Sequence, residues 1–475
     1  MAIIRFGTDG WRGLIARDFT FDNVALCAQG VASYLHKEGR AGDGLVVGYD
    51  TRFASREFAG LVAEVMAGNG IVTFLSDRAA PTPVVSYNIL HHKAAGAAII
   101  TASHNPALWN GFKYKPDYAG SASPEVTARL EQEIERAETD GVSSMPLHKA
   151  GDEGLVQIID PTPPYLEQIA RLVDIEAISG AGLSIVVDAM HGAGAGYLRS
   201  ILPQSRDRSM VFEINGERNP AFPGMERPEP IAANLASLSH TVVEKGADVG
   251  IAFDGDADRV GIIDEKGTFI TTLEAFALLA LYLLEIKEDK GALVKSLTST
   301  SMVYRLGEIY DVPVFETAVG FKYICPIMLR ENALMGGEES GGYGFRGHIP
   351  ERDGILSGLL LLEYMAKTGK RPSELMEHLF EVVGPHHYQR RDISFPPEDR
   401  ESLQSKLESG DLNEVAGMPV VSADSIDGRR FKFSSNVWLL VRFSGTEPLL
   451  RIYAEAESPK KVGQLLDGAE AFLGL

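Results

Sequence analysis

Val249-Gly250-Ile251-Ala252-Phe253-Asp254-Gly255-Asp256-Ala257-Asp258-Arg259 is an apolar run ending in three aspartates at alternate positions. The run reads as a buried strand and the aspartates as the loop it delivers. Strands that end in polar loops mark open α/β sheets, where ligands sit at the carboxyl edge. Upstream, residues 97–100 read as a second such strand, delivering Thr101-Ala102-Ser103-His104-Asn105-Pro106. Around these two runs, 45–49 and 71–75 read as strands and 55–67 as a helix. The order restarts with strands at 184–188 and 211–214, then again with a helix over 273–284 and strands near 292–295 and 312–315. Such alternation predicts α/β layers, with three segments that look like repeats of one unit.

Breaks at Gly151 to Gly154 with Pro161-Thr162-Pro163-Pro164, at Asp264-Glu265-Lys266-Gly267, and between Lys367 and Pro385 divide the chain. The expected division is three similar α/β domains with mixed sheets over 1–152, 153–263 and 264–372, and a smaller α+β domain over 385–475. In the last, strands at 437–442 and 450–454 flank Arg442-Phe443-Ser444-Gly445-Thr446-Glu447-Pro448, and a helix closes the chain. A length of 475 residues is too great for one core.

With 65 acidic against 45 basic residues the formal charge is −20, which argues against nucleic acid or an anionic membrane as partner. An anionic substrate must then be held by local Arg and Lys. Cys27 and Cys325 stand far apart with no metal-ligand spacing, so neither a disulfide framework nor a zinc site is readable. The N-terminus lacks a secretion pattern, and the longest apolar stretches are about half the ~20 residues of a membrane span. A soluble cytoplasmic protein is expected.

Ser103 lies where a strand meets a loop. Before Asn105-Pro106 it could be a helix cap, but Trp109-Asn110-Gly111-Phe112-Lys113-Tyr114 reads as a turn into a strand. Lys113 can then face Ser103, to balance phosphate charge or move a proton. Alternation in an extended loop brings Asp254, Asp256 and Asp258 to one face, an oxygen-rich site suited to Mg²⁺. An EF-hand fails because Arg259 stands where Gly is needed and the flanks are strands. A serine that can carry a phosphoryl group and a cation that neutralises its charge are the parts of covalent phosphoryl transfer.

A rival is a haloacid-dehalogenase-type phosphatase with Asp254 as nucleophile and Asp256 as acid, which leaves Ser103 without a task. A non-catalytic sugar-phosphate-binding protein is a further alternative. His191-Gly192-Ala193-Gly194-Ala195-Gly196 imitates a dinucleotide fingerprint, but glycines there more simply permit tight strand-to-helix packing. In Gly337-Glu338-Glu339-Ser340-Gly341-Gly342 the glycines let backbone approach a ligand, and Glu338, Glu339 and Ser340 offer groups for sugar oxygens. Arg442, Ser444, Gly445 and Thr446 have the makings of a phosphate cradle.

These four loops, in this order, resemble the α-D-phosphohexomutase family, which includes phosphoglucomutases and phosphomannomutases. The resemblance implies four domains around a central cleft, Ser103 as phosphoserine, and Mg²⁺ held by its phosphate with Asp254, Asp256 and Asp258. It places Gly7-Thr8-Asp9-Gly10-Trp11-Arg12-Gly13 at the rim, with Arg12 beside the transferring group. Arg259 and Lys113 would add positive charge, and His104 joins Ser103, Arg12, Lys113 and Arg259 in the expected catalytic set. Glu338 and Ser340 would bind sugar hydroxyls; Arg442, Ser444, Gly445 and Thr446 would hold the non-reacting phosphate. Many bacterial members end the sugar loop in His, and Gly342 excludes a histidine acid or base there. Gly320-Phe321-Lys322-Tyr323 and Ile349-Pro350-Glu351-Arg352-Asp353-Gly354 look closer to phosphoglucomutase loops. The expectation is a mutase of hexose 1- and 6-phosphates, glucose before mannose, with glucose 1,6-bisphosphate as intermediate or activator, acting as monomer or homodimer.

Overall fold

Strand pairing in the computed structural model, which describes residues 4–7, 9–202, 209–409, 413–434, 436–444 and 449–475, reveals one four-strand unit used three times. In the first sheet Leu45–Tyr49 lies between two parallel neighbours, Thr73–Ser76 and Gly96–Ile100, and Trp109–Pro116 returns antiparallel to the latter. The second sheet fills the same places with Ser184–Asp188, Met210–Ile214, Val249–Phe253 and Val260–Asp264. The third does so with Leu293–Ser296, Val314–Thr317, Met335–Gly337 and Tyr343–Phe345. The expected mixed sheets and the repeated unit are therefore present.

One consequence of this topology positions the site. In each unit the connection between the third strand and its antiparallel return leaves from the carboxyl edge of the parallel strands. That connection is the Ser103 loop in the first unit, the aspartate loop in the second and the Gly337 to Gly342 loop in the third. The central strands Leu45–Tyr49 and Val249–Phe253 are buried along their whole length, since helices cover the sheet on both faces. Apolar side chains of all three units, among them Val85, Phe253 and Leu359, meet in one continuous core.

Two expected boundaries move. Past the break near 152, Val156–Ile159 pairs in parallel with Thr73–Ser76, because Thr73 N–H already donates to Leu155 C=O at 2.8 Å. The glycines at 151 and 154 therefore end a short helix, Leu147–Asp152, inside the first unit. Likewise the second sheet continues past 263 through Asp264 to the hairpin partner Phe269–Ile270. The helix expected over 273–284 is Thr272–Leu281, capped by Thr271 and Glu274 and prolonged by a π turn, Tyr282–Ile286.

The fourth sheet is wholly antiparallel, in the order His387–Ser394, Leu449–Ala456, Trp438–Phe443, Arg429–Lys432, Ser422–Asp424. The helix Pro459–Leu473 packs on it through Val462, Leu465 and Leu466. Buried Glu455 fastens this sheet to the third unit, accepting from Thr300 Oγ1 at 2.5 Å and Ser301 N–H at 2.8 Å. Among the described residues no helix is long and apolar enough to cross a membrane.

Candidate active site

Ser103 sits in the left-handed region, with φ of 51°, three residues past the end of the strand Gly96–Ile100. An L-residue there is strained, so its surroundings must impose the conformation. The Ser103 N–H donates to Thr101 Oγ1 at 2.8 Å, and Arg52 takes hold of the carbonyls. Arg52 Nη2 donates to Ser103 O and Asn105 O, both at 2.6 Å; Nη1 donates to Pro106 O at 2.9 Å and Trp109 O at 3.1 Å. This guanidinium is fully buried, ion-paired with Asp50 at 3.2 Å and stacked over Phe222. Burial pulls its pKa down, and Asp50, Asp256 and Asp254 oppose that pull.

The Ser103 hydroxyl donates to Asp254 Oδ2 at 2.7 Å, across the gap between the first and second units. The two loops touch backbone to backbone: a Cβ on Gly255 would collide with the Ser103 carbonyl oxygen. His104 Nδ1 is 3.3 Å from the same hydroxyl, and burial, then the charges of Arg259 and Arg12, hold its imidazole neutral. Arg12, on the strand Trp11–Leu14, donates to Asn105 Oδ1 at 2.8 Å and so lies against the serine loop.

Asp254, Asp256 and Asp258 are all buried, and one oxygen from each lies within 4.8 Å of the others. Asp254 Oδ1 accepts from the N–H groups of Asp258 and Arg259 at 3.0 and 3.2 Å, which folds the loop back on itself. Burial, with Asp258 and Asp256 alongside, pushes the Asp254 carboxyl well above the usual range. Asp256 Oδ1 and Asp258 Oδ1 are buried and have no hydrogen-bond partner. Two orphaned carboxylate oxygens beside a third carboxylate fit a hard divalent cation, which takes oxygen ligands. The expected ligand set is thus brought together.

Lys113 lies in the strand Trp109–Pro116, but its ammonium contacts aspartates rather than Ser103: Asp9 and Asp256 at 2.8 Å and Asp258 at 3.1 Å. Burial lowers its pKa, yet Asp256, Asp258 and Asp9 outweigh that and drive it upward. A lysine so held keeps its proton, which favours charge balance over the proton transfer also read from the sequence. Burial likewise raises the Asp9 carboxyl, but Lys113, Lys115 and Arg352 hold it well below the usual range. Arg259 Nη1 donates to Glu229 Oε1 at 3.2 Å, leaving its Nε 3.9 Å from Asp258.

Arg352, quoted in the sequence but given no role, joins the loops. Its Nη2 donates to Asp9 Oδ2 at 2.6 Å and pairs with Asp258 Oδ2 at 2.7 Å, while Nη1 reaches Glu338 Oε2 at 3.5 Å. A Cβ on Gly342 would collide with Arg352 Cδ, so the absence of a side chain at 342 is what lets this arginine lie across the site. Gly354 N–H donates to Ala257 O at 3.1 Å, and a Cβ on Gly354 would collide with Arg259 O, clamping the aspartate loop from the third unit. Ser340 is half-buried in the same loop. Glu339 turns away to the fourth sheet, accepting from Tyr388 OH at 3.0 Å and Arg390 Nη1 at 3.2 Å.

In the fourth sheet Arg442 Nε donates to Asp427 Oδ1 at 2.9 Å, and Ser444 is buried. Gly445 and Thr446, like Thr8, lie outside the described residues. The glycine loop at 191–196 packs as structure: a Cβ on Gly192 would sit 2.9 Å from Asp254 O, and Gly196 N–H donates to Glu213 Oε2 at 2.7 Å. Arg52, Lys115 and Asp427 were missed from the sequence, and Asp9, placed at the rim, was given no role of its own. Only Lys115 had a signal, being two residues from Lys113 and so on the same strand face.

Four domain descriptions of one family match this chain in order. Phosphoglucomutase/phosphomannomutase alpha/beta/alpha domains I, II and III match residues 4–140, 163–267 and 274–383, and the C-terminal domain matches 403–471. The chain belongs to the phosphoglucomutase/phosphomannomutase family. It is 33% identical to the phosphoglucomutase/phosphomannomutase of Thermococcus kodakarensis over 97% of this chain and 96% of that one. It is 30% identical to the phosphoglucosamine mutase of Carboxydothermus hydrogenoformans, covering 97% of both. A solved structure named as a candidate phosphomannomutase from Thermus thermophilus superposes with a TM-score of 0.86 at 35% identity, over 100% of both chains. The protein is accordingly a phosphosugar mutase, and the dehalogenase and non-catalytic alternatives fall away.

Proposed function

We propose that the chain interconverts hexose 1-phosphate and hexose 6-phosphate, glucose before mannose, through phospho-Ser103 and a hexose 1,6-bisphosphate. The observation that carries this reading is the Ser103 hydroxyl 2.7 Å from Asp254 in a cluster fit for a divalent cation. In the forward step the sugar hydroxyl attacks phosphorus, the bond from phosphorus to Ser103 Oγ breaks, and the proton lost by the sugar hydroxyl is, on balance, taken up by the freed Ser103 Oγ. The bisphosphate turns over in the cleft, and its other phosphoryl group returns to Ser103 Oγ as the isomer departs.

Mg²⁺ bound by Asp254, Asp256, Asp258 and the Ser103 phosphate would supply charge neutralisation at the transferring group. A phosphoserine adds roughly −1.5 to −2 charge, which one cation cannot balance among three aspartates. Lys113, fixed in its charged form, Arg12 and Arg259 supply the remainder. Neutral His104, beside the hydroxyl, adds no charge. Glu338 and Ser340 would take sugar hydroxyls, and Arg442, Ser444, Gly445 and Thr446 the non-reacting phosphate. Four domains of 1–159, 160–270, 271–383 and 385–475 fit the sheets and these four loops.

Glucose is placed first because Gly320-Phe321-Lys322-Tyr323 and Ile349-Pro350-Glu351-Arg352-Asp353-Gly354 resemble the phosphoglucomutase loops and Gly342 offers no imidazole. Phosphoglucosamine mutases among the relatives make the comparison with amino sugars necessary. Incubation with glucose 1,6-bisphosphate should add one phosphoryl group to the intact mass and none to Ser103→Ala; an unchanged parent mass would refute the covalent step. Side-by-side turnover of glucose, mannose and glucosamine 1-phosphates decides the sugar.

A further inference from the structure

Arg442 stands on the strand Trp438–Phe443 of the fourth sheet, and that sheet carries a carboxylate without an assigned role. Asp427 lies in the turn between Ser422–Asp424 and Arg429–Lys432. Its Oδ1 accepts from Arg442 Nε at 2.9 Å, and its Oδ2 accepts from the backbone N–H of Val319 at 3.1 Å. Val319 belongs to the third unit, directly before Gly320-Phe321-Lys322-Tyr323, and packs with Leu297 against Trp438, Leu440 and Tyr453 of the fourth sheet. One carboxylate thus spans the seam between Arg442 of the fourth sheet and Val319 of the third unit.

The local backbone holds Asp427 there. Gly428 has φ of 93°, and a Cβ on it would lie 2.5 Å from Val441 O and 3.0 Å from Arg442 Cβ, so the turn presses directly against the strand that carries the arginine. The same hairpin is tied to the third unit a second time, by Arg430, which donates to Glu316 Oε1 at 2.5 Å and Oε2 at 2.7 Å. A guanidinium whose Nε is taken by one carboxylate has its plane fixed, and anion recognition falls to its two Nη atoms.

We propose that Asp427 is a positioning residue that orients Arg442 for the substrate's non-reacting phosphate and ties that grip to the third unit through Val319. This rests on the reading of Arg442 as a phosphate ligand. Asp427 acts through Arg442 and touches no reacting atom, so its loss weakens binding and leaves the chemical step in place. Asparagine is the discriminating substitution because a carboxamide accepts with one end and donates with the other. Facing two N–H donors, it must leave one of them unmatched.

The test is steady-state turnover of glucose 1-phosphate by Asp427→Asn, Arg442→Ala and the double variant, with thermal melting of each. Asp427→Asn should raise KM about tenfold, the loss of roughly one charge-assisted hydrogen bond, with kcat within about twofold of the parent. In the Arg442→Ala background it should change KM no further. Asp427→Ala is the second variant, with the same expectation, and a side chain only 26% exposed in a surface turn is open to either change. The proposal is overturned if Arg442→Ala raises KM while Asp427→Asn stays within twofold, or if Asp427→Asn adds a further rise on top of Arg442→Ala. An unchanged KM in Arg442→Ala would instead overturn the phosphate reading on which the proposal stands.

Discussion

Arg52→Lys tests whether the serine loop is held from beneath rather than by its own sequence. The guanidinium serves four carbonyl oxygens, those of Ser103, Asn105, Pro106 and Trp109, and the Asp50 carboxylate. A lysine ammonium keeps the charge but has three N–H donors, so at least one of the four carbonyl oxygens loses its partner. Each buried acceptor left unsatisfied costs about 1–3 kcal/mol, which puts the change at roughly 1–3 kcal/mol or more. Such a loss need not unfold the protein, since loop 103–109 can open by itself, and Ser103 at φ of 51° gains by relaxing. The hydroxyl then leaves its place beside Asp254, and a displacement of about 1 Å lowers turnover by about 100-fold. The measurements are kcat and KM for glucose 1-phosphate, with hydrogen exchange of the Asn105 and Trp109 amides, which bond to Ala102 O and Pro106 O at 3.0 Å. The expected result is a lower kcat, faster exchange at those two amides and a KM within a few fold. Arg52→Lys with parental kcat and parental exchange would refute the reasoning.

Gly354→Ala should lower kcat at least tenfold, because its methyl group would strike Arg259 O and push the aspartate loop off register; parental turnover would count against that clamp. Adding Mg²⁺ to chelator-treated protein should raise the melting temperature, by the equivalent of about 2.7 kcal/mol at 100 times Kd, and the rise should vanish in Asp256→Asn/Asp258→Asn. Between the third and fourth sheets, burial raises the Glu316 carboxyl, but hydrogen bonds from Arg430 and the charge of Lys295 hold it well below 4.5. A depressed carboxyl stabilises above its unfolded value and loses that contribution as pH falls, so the stability gap between the parent and Glu316→Gln should be full at pH 7 and narrow below about 4.5. A gap that stays constant or widens on acidification would reverse the assigned sign.

Much of this site was written in local pattern. Apolar runs of strand length, each ending in a polar loop, located the Ser103, Asp254 and Glu338 loops because a strand buried on both faces has a continuous apolar signature. Edges slipped where tertiary pairing, not composition, sets them: Ile71 closes the preceding helix through its bond to Met66 O, so that strand begins at Thr73. The break near 152 misled for a related reason, since glycines mark a helix end as readily as a domain end. Arg52 and Asp427 were illegible because a lone charged residue after a strand reads as surface until its buried partners are known. Lys113 was found, yet its three carboxylate partners come from loops 104 to 145 residues away and give it a different task.

The threefold unit explains why those loops meet at all. A third strand parallel to its neighbours must deliver its hairpin connection at the carboxyl edge, so three copies of the unit packed on one core present three such connections toward a common space. Each connection then contributes what the other two lack: a hydroxyl from the first, carboxylates from the second, a glycine-backed acidic loop from the third. Charges this deeply buried are tolerable only when paired. Lys113 and Arg352 supply the pairing, and both bind Asp9 and Asp258, while Arg352 also reaches Glu338, so the aspartate loop, the N-terminal segment and the Gly337 to Gly342 loop cannot shift independently. The fourth sheet lies outside that network and meets the third unit at contacts of its own, among them Glu316 with Arg430, Glu339 with Tyr388, Val319 with Asp427, and Glu455 with Thr300 and Ser301. The proposed bisphosphate, which would have to turn over without escaping, is served by this division, with the groups around Ser103 locked among themselves and the fourth sheet attached by contacts of its own.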